Sequence, residues 1–138
     1  MTTVNLDQKA AQHAQVMVKE GVQVKDAKAA ENLITKTLGV LQEQGVYASM
    51  LFLFSRSSDE GKIAPKLRHR LYRLLQDLPR YQGDQELTGF DEGAKAEPVL
   101  RFYAKKVCGE LDTLLLVKEL YEQTLIYARY GAKAEGKS

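Results

Sequence analysis

The sequence is poor in the residues that build disulfides and metal centres. It has one cysteine, Cys108, two histidines and no tryptophan among its 138 residues. A single cysteine forms neither an intrachain disulfide nor a multi-cysteine zinc site. The histidines, His13 and His69, fall on different predicted helices, and the Glu-x-x-His motif of carboxylate-bridged metal sites is missing. We therefore expect no metal and no other cofactor.

Phosphate-binding loops and membrane-spanning segments are missing as well. The sequence contains neither G-x-G-x-x-G nor G-x-x-x-x-G-K-[ST]. No apolar run approaches the roughly 20 residues that cross a bilayer. Residues 1–5 have neither the basic start nor the apolar run of a signal peptide. These absences lead us to expect a soluble cytoplasmic protein.

Strand signals are equally scarce, because no segment sustains an alternation of apolar and polar residues. Helical spacing dominates instead, and the length suits one domain. We predict an all-α fold in which residues 1–138 form a single domain, a bundle of about five to six helices. The predicted helices cover residues 6–20, 25–44, 46–56, 65–78, 98–107 and 112–133, with a break near residue 109.

Glycine and proline set most of the predicted helix boundaries. Gly21 and Gly45 are expected to end the first two helices, since glycine readily takes the left-handed conformation of helix ends. Pro65 is placed in the first turn of a helix that ends before Pro79. Gly39 predicts a bend or a close helix contact. The predicted non-helical segments are a polar loop at 57–61, a flexible acidic loop at 80–97 and a frayed C-terminus at 134–138.

Apolar residues at helical spacing predict the core. The segment at 46–54 is apolar nearly all round, which predicts burial on several sides. The last helix has more apolar residues than one stripe needs, so it is either buried on two sides or presents a face to a partner. The predicted core stripes are Ala10, Ala14, Met17 and Val18; Ala30, Ile34, Leu38 and Leu41; Leu67, Leu71, Leu74 and Leu78; and Leu114, Val117, Tyr121, Leu125 and Ala128.

Positive charge is concentrated in one short segment. Residues 61–80 contain six Lys or Arg against one acidic residue, whereas the rest of the chain is slightly acidic. Lys66, Arg70 and Arg73 fall at i, i+4 and i+7 on one side of the predicted helix. Such a cluster is typical of an anion-binding face. The alternatives are a solvated helix face, and pairing of the arginines with the acidic loop at 84–92 of the same molecule or of a neighbour.

Nucleic acid is the anion that this segment fits best. Basic side chains at helical spacing can bridge successive phosphates, and Tyr72 or Tyr81 could stack on an unpaired base. Nothing in the sequence suggests base readout, so backbone contact is the expected mode. The candidate nucleic-acid-binding residues from this pattern are Lys62, Lys66, Arg68, Arg70 and Arg73, with Arg101, Lys105 and Lys106 as an extension.

Catalysis has only weak candidates. Lys105 and Lys106 could lower the pKa of the Cys108 thiol and so activate it. A lone cysteine on an apolar helix is more often a small core residue, and carboxylate pairs such as Glu119 and Glu122 occur on any charged helix. We expect no catalytic residue and no enzymatic activity.

Two segments resemble a known family. Residues 43–56 read EQGVYASMLFLFSR, in which a glycine ends an amphipathic helix and a Phe-Leu helix follows. Residues 114–121 read LLLVKELY. Both resemble the small helical subunit of type III-B (Cmr) CRISPR effector complexes, and the equivalent small subunit of another type III branch fits nearly as well.

The resemblance implies an all-α, non-catalytic subunit of an RNA-guided antiviral complex. Copies would stack on one another and on guide-carrying backbone subunits, and would contact phosphates of target RNA, and of guide RNA where it is within reach, without reading bases. By position in the motif, Arg56 joins the basic helix as a candidate RNA contact. The alternative hypothesis is a helical protein–protein adaptor whose basic face docks an acidic partner and binds no RNA.

Overall fold

Helices make up the regular structure of residues 5–137, the part of the chain that the computed structural model describes. No strand occurs within these residues. The predicted all-α, single-domain bundle is therefore confirmed. A short 3₁₀ turn at Pro79–Tyr81 and a π-helical turn at Tyr103–Val107 interrupt the α-helices. The α-helices are α1 (Leu6–Val24), α2 (Ala27–Gln44), α3 (Val46–Phe54), α4 (Ser58–Gln76), α5 (Gln85–Thr88), α6 (Ala96–Phe102) and α7 (Leu111–Glu135).

Local sequence explains where the first helices begin and end. Asn5 and Asp26 are N-caps whose side chains accept hydrogen bonds from the backbone N–H three residues on, at 3.0 and 2.8 Å. Such bonds satisfy donors that a helix start otherwise leaves unpaired. Gly45 ends α2 with a φ of 99°, a left-handed conformation that favours glycine, and its N–H returns to the Leu41 carbonyl.

Among the long helices, α1 packs against three others. Helix α1 touches α7, α4 and α2, and α2 also packs along α7. The beginning of α2 lies beside the end of α7, with the Cβ of Ala27 close to Gly136, so these two helices are antiparallel. Helix α3 bridges α2 and α4. All four predicted core stripes are confirmed as buried or, at Leu114, partly buried.

Three predicted boundaries are wrong. Helix α1 runs through Gly21 to Val24, because this glycine serves close packing, and a Cβ there would lie 3.3 Å from that of Ala30. The predicted polar loop at 57–61 is the first turn of α4, where Asp59 and Glu60 suit the helix N-terminus. Pro65 consequently lies inside α4. Helix α7 extends to Glu135, and Ser138 lies outside the described residues.

Residues 80–97 have more regular structure than the irregular stretch that was predicted. They contain the end of the 3₁₀ turn, helix α5 and the beginning of α6. The side chains of Tyr81, Leu87 and Phe90 are buried, and Phe90 lies edge-on to Phe102 with the ring centres 5.6 Å apart. Three apolar anchors therefore attach this acidic stretch to the bundle.

Alanine substitution of Gly39, inside α2, and of Gly45, which ends α2, should change stability in opposite directions. The Gly45→Ala variant should lose about 1 kcal/mol of unfolding free energy, since a side chain disfavours its positive φ. The Gly39→Ala variant should gain about 0.5–1 kcal/mol, because alanine is the better helix former and no atom lies within 4 Å of the new Cβ. The close helix contact predicted for Gly39 is therefore absent.

Urea unfolding followed by circular dichroism measures both changes against the same wild-type curve. An unchanged unfolding free energy for Gly45→Ala would contradict the helix boundary at residue 45, and a loss for Gly39→Ala would contradict the open space beside residue 39.

Candidate functional site

The basic residues of α4 do share one side of the helix, but most of them are engaged within the molecule. We call Lys62, Lys66, Arg70 and Arg73 the basic face. Lys66 Nζ lies 3.0 Å from Glu92 Oε1, and Arg70 Nη2 lies 3.5 Å from Glu20 Oε1. Lys62 is exposed and has no ion-pair partner in the described part of the chain. Carboxylates therefore pair with two of the four residues of the basic face.

Arg73 is fixed by backbone carbonyls rather than by acidic side chains. Its guanidinium donates to the Leu87 carbonyl at 2.9 Å and to the Phe90 carbonyl at 2.5 Å. It also donates to Gln76 Oε1 at 2.6 Å. These carbonyls belong to the end of α5 and the turn after it, so Arg73 closes a helix C-terminus with a positive charge. The hypothesis that the arginines pair with residues 84–92 holds for Arg73, through backbone carbonyls, but not for Arg68 or Arg70. Lys66, which that hypothesis did not include, pairs with Glu92.

Arg68 is buried, so its predicted place on an exposed basic surface is wrong. Its guanidinium donates to the Leu53 carbonyl at 3.1 Å and lies 4.1 Å from the centre of the Phe54 ring. Burial lowers the pKa of Arg68, and no carboxylate pairs with it in residues 5–137. The last carbonyls of α3 and an aromatic ring replace a counter-ion.

Arg56 follows α3 and folds back on it. The guanidinium stacks 4.0 Å from the centre of the Phe52 ring, and its Nε donates to the Phe52 carbonyl at 3.1 Å. Glu60 lies 3.4 Å from Nη1 and also pairs with Lys36, and these partners lower the pKa of the Glu60 carboxyl. Arg56 therefore joins the end of α3 to the first turn of α4.

The three candidate nucleic-acid-binding residues in and after α6 differ in whether their side chains are already paired. Arg101 pairs with Glu97 at 2.6 Å on an exposed helix surface. Lys106 lies 3.0 Å from Asp84, whose carboxylate raises the pKa of this lysine. Lys105 is exposed on the π-helical turn and has no ion pair in the described residues. Lys62 and Lys105 are thus the predicted site residues with open side chains.

The predicted base-stacking role of two tyrosines is wrong. Tyr72 is fully buried between Phe90 and Tyr103, with ring centres 5.7 and 6.4 Å away. Its burial raises the pKa of the phenol to about 12. Tyr81 is also buried and donates a 2.6 Å hydrogen bond to the Lys106 carbonyl. Neither ring can reach a base without unfolding its surroundings.

The thiol candidate also fails on its electrostatics. Burial raises the pKa of Cys108, whereas Lys105 and Lys106 were expected to lower it. A thiol with a raised pKa is a poor nucleophile at neutral pH. Among residues 5–137, no group of three or more His, Cys, Asp or Glu side chains is placed to hold a metal ion.

A second surface, apolar rather than basic, lies at one end of the bundle. Tyr47 and Leu51 on α3 are 39% and 49% exposed, and Leu111 and Leu115 on α7 are 66% and 55% exposed. We call these four residues the apolar end. Leu51 also lines an open groove between α2 and α3. Large apolar side chains exposed at one end of a bundle are typical of protein-binding surfaces.

Helix directions bring the two halves of the apolar end together. Because α2 is antiparallel to α7, its last residues lie near the beginning of α7. Helix α3 starts directly after α2 and contacts α7. Tyr47 and Leu111 are therefore placed at the same end of the molecule, although they are far apart in sequence.

Sequence reasoning missed half of this surface. The apolar run at 46–54 predicted burial on several sides, but Tyr47 and Leu51 face away from the core. The face on α7 was one of two alternatives, and exposure of Leu111 and Leu115 supports the one in which α7 presents a face. The sequence signal for this surface was that α7 has more apolar residues than one buried stripe needs.

Comparison of the chain with protein-family models, curated proteins and solved structures found no match. Within the described residues, no helix combines the length and the apolar character that crossing a membrane requires.

The buried guanidinium gives a stability prediction. The Arg68→Ala variant should lose about 2 kcal/mol of unfolding free energy, because the Leu53 carbonyl loses a charged donor and Phe54 loses its stacked cation. The Lys62→Ala variant removes a charge from the same helix but should change stability by less than about 0.5 kcal/mol. Urea unfolding of both variants measures the difference. An unchanged midpoint for Arg68→Ala would mean that this arginine has no structural role.

Proposed function

We propose that this protein is a non-catalytic structural subunit of a larger assembly, which it joins through the apolar end. The observation that carries the proposal is the exposure of Tyr47, Leu51, Leu111 and Leu115 at one end of the bundle. Single exposed apolar residues are ordinary on a monomer, but a group of four large ones favours contact with another protein.

The chemistry of the remaining surface supports a binding role over a catalytic one. The single thiol has a raised pKa. The charged side chains of α4 are used to fix neighbouring elements, as with Arg73 and the Leu87 carbonyl. Arginine and tyrosine side chains such as Arg68 and Tyr72 therefore act here in packing.

We propose further that the assembly is an RNA-guided effector complex of type III CRISPR systems in the cytoplasm. Two things support this finer proposal: the resemblance of residues 43–56 and 114–121, and the excess of positive charge at 61–80. In such a complex the apolar end would contact another copy of this chain or a backbone subunit. Lys62 and Lys105, which have open side chains, would contact RNA phosphates.

The adaptor hypothesis, with a basic face that docks an acidic protein, has less support. Docking of that kind needs several available cations on α4, and Arg70 and Arg73 are held by partners within the molecule. Lys62 and an exchangeable Lys66 offer little charge attraction to a folded acidic surface. The adaptor hypothesis would be supported if a protein partner were found without RNA.

Co-purification tests the role of the apolar end. A tagged chain purified gently from its native host should bring down a multi-protein assembly that contains short guide RNAs. The Leu51→Glu/Leu115→Glu variant should lose that assembly, because two charges would have to be buried at the contact. Both side chains are exposed in the free chain, so the variant should keep its fold.

The matched control is Val16→Glu/Tyr130→Glu, which places two charges at exposed apolar positions outside the apolar end. It should retain the assembly. Loss of the assembly in both variants, or in neither, would contradict docking through the apolar end. Recovery of one protein partner without RNA would favour the adaptor.

Salt dependence tests RNA contact by the isolated chain. Binding to single-stranded RNA should be weak and independent of sequence, and log affinity should fall with log salt with a slope of about −2 for three phosphate contacts. Lys62→Glu/Lys105→Glu should weaken binding further, whereas the equally charged Lys28→Glu/Lys133→Glu variant on another surface should not. Equal loss in the two variants would exclude Lys62 and Lys105 as a local contact.

A further inference from the structure

The acidic stretch at 84–92 pairs with one lysine of α4 and with one lysine of the π-helical turn. We call it the acidic strap. Glu92 pairs with Lys66 on α4, while Asp84 and Glu86 pair with Lys106 at 3.0 and 3.6 Å. The strap thus covers two separate lysines, one on each side of its own attachment to the bundle.

The backbone of the strap is fixed, and so is the side chain of Asp84, which caps α5 and is 15% exposed, but Glu86 and Glu92 are more open. Leu87 and Phe90 are buried, and Arg73 binds the carbonyls of both. Glu92 and Lys66 are about one-third exposed, and Glu86 and Lys106 somewhat more so. Solvent-exposed ion pairs of this kind are weak and exchange readily with other ions. Rupture of the Glu92–Lys66 and Glu86–Lys106 pairs needs only side-chain rotation, with no change in the fold.

We infer that the acidic strap is an intramolecular competitor of the RNA backbone, an inference that rests on the proposed contact with RNA. Its carboxylates occupy Lys66 and Lys106 in the free chain, and phosphates take their place when RNA lies on this side of the molecule. Lys62 and Lys105 offer the first contacts, since each lies within one turn of a covered lysine. The strap suppresses binding of stray RNA by the free chain.

The test removes the charge of the strap and keeps its shape. The variant is Asp84→Asn/Glu86→Gln/Glu92→Gln, in which the asparagine introduced at position 84 retains the side-chain oxygen that caps α5. The control is Glu43→Gln/Glu119→Gln/Glu122→Gln, which changes net charge equally at positions on α2 and α7. Fluorescence anisotropy with an oligouridine of about 20 nucleotides at low salt gives the dissociation constants. Thermal unfolding checks that both variants remain folded.

The strap variant should bind the oligouridine roughly fivefold more tightly than the wild type, and the control less than twofold. Adding Lys66→Gln/Lys106→Gln to the strap variant should remove the gain. The competitor role would be overturned if the strap variant and the control gained the same affinity for the oligouridine, or if the strap variant gained none. The RNA contact would stand in either case. Absence of binding in every protein would overturn both the competitor role and the RNA contact, without affecting docking through the apolar end.

Discussion

The close approach of α1 to its neighbours is the constraint on which the rest of the structure depends. Ala10 and Ala14 are fully or almost fully buried, and Gly21 lies so near α2 that an added Cβ would be 3.3 Å from Ala30. Small side chains at these positions let α1 contact α2, α4 and α7 together. A larger residue would push the helices apart and leave voids that cost stability. The positions of the basic face and of the apolar end follow from this packing.

Close packing of α4 also determines which of its charged side chains are buried and which partners they have. A helix in contact with α1, α2 and α3 retains only a narrow outer side. Arg68 consequently lies in the interior, and Arg70 meets Glu20 of α1. Two of the predicted nucleic-acid-binding arginines, Arg68 and Arg73, bind backbone carbonyls within the molecule, and the exposed apolar residues are the more distinctive feature of its surface.

Periodicity in the sequence predicted the fold well, because apolar spacing reports directly on which helix side is buried. The stripe that contains Leu67 and Leu71 and the helix stop at Gly45 are both confirmed. The site was predicted poorly. The spacing of Arg68 could not indicate that its partner is the Leu53 carbonyl on another helix. Tertiary contacts of that kind have no local signal, and neither does the exposure of Leu51 within an apolar run.

Site-specific photo-crosslinking in the native host tests the central claim most directly. A photoreactive amino acid in place of Leu115 would probe the apolar end, and one in place of Lys28, an exposed residue at the start of α2, would probe the opposite end of the bundle. We predict abundant crosslinks to another protein subunit, or to a second copy of this chain, from position 115 and few from position 28. Equal crosslinking at the two positions, or none at position 115, would contradict assembly through the apolar end.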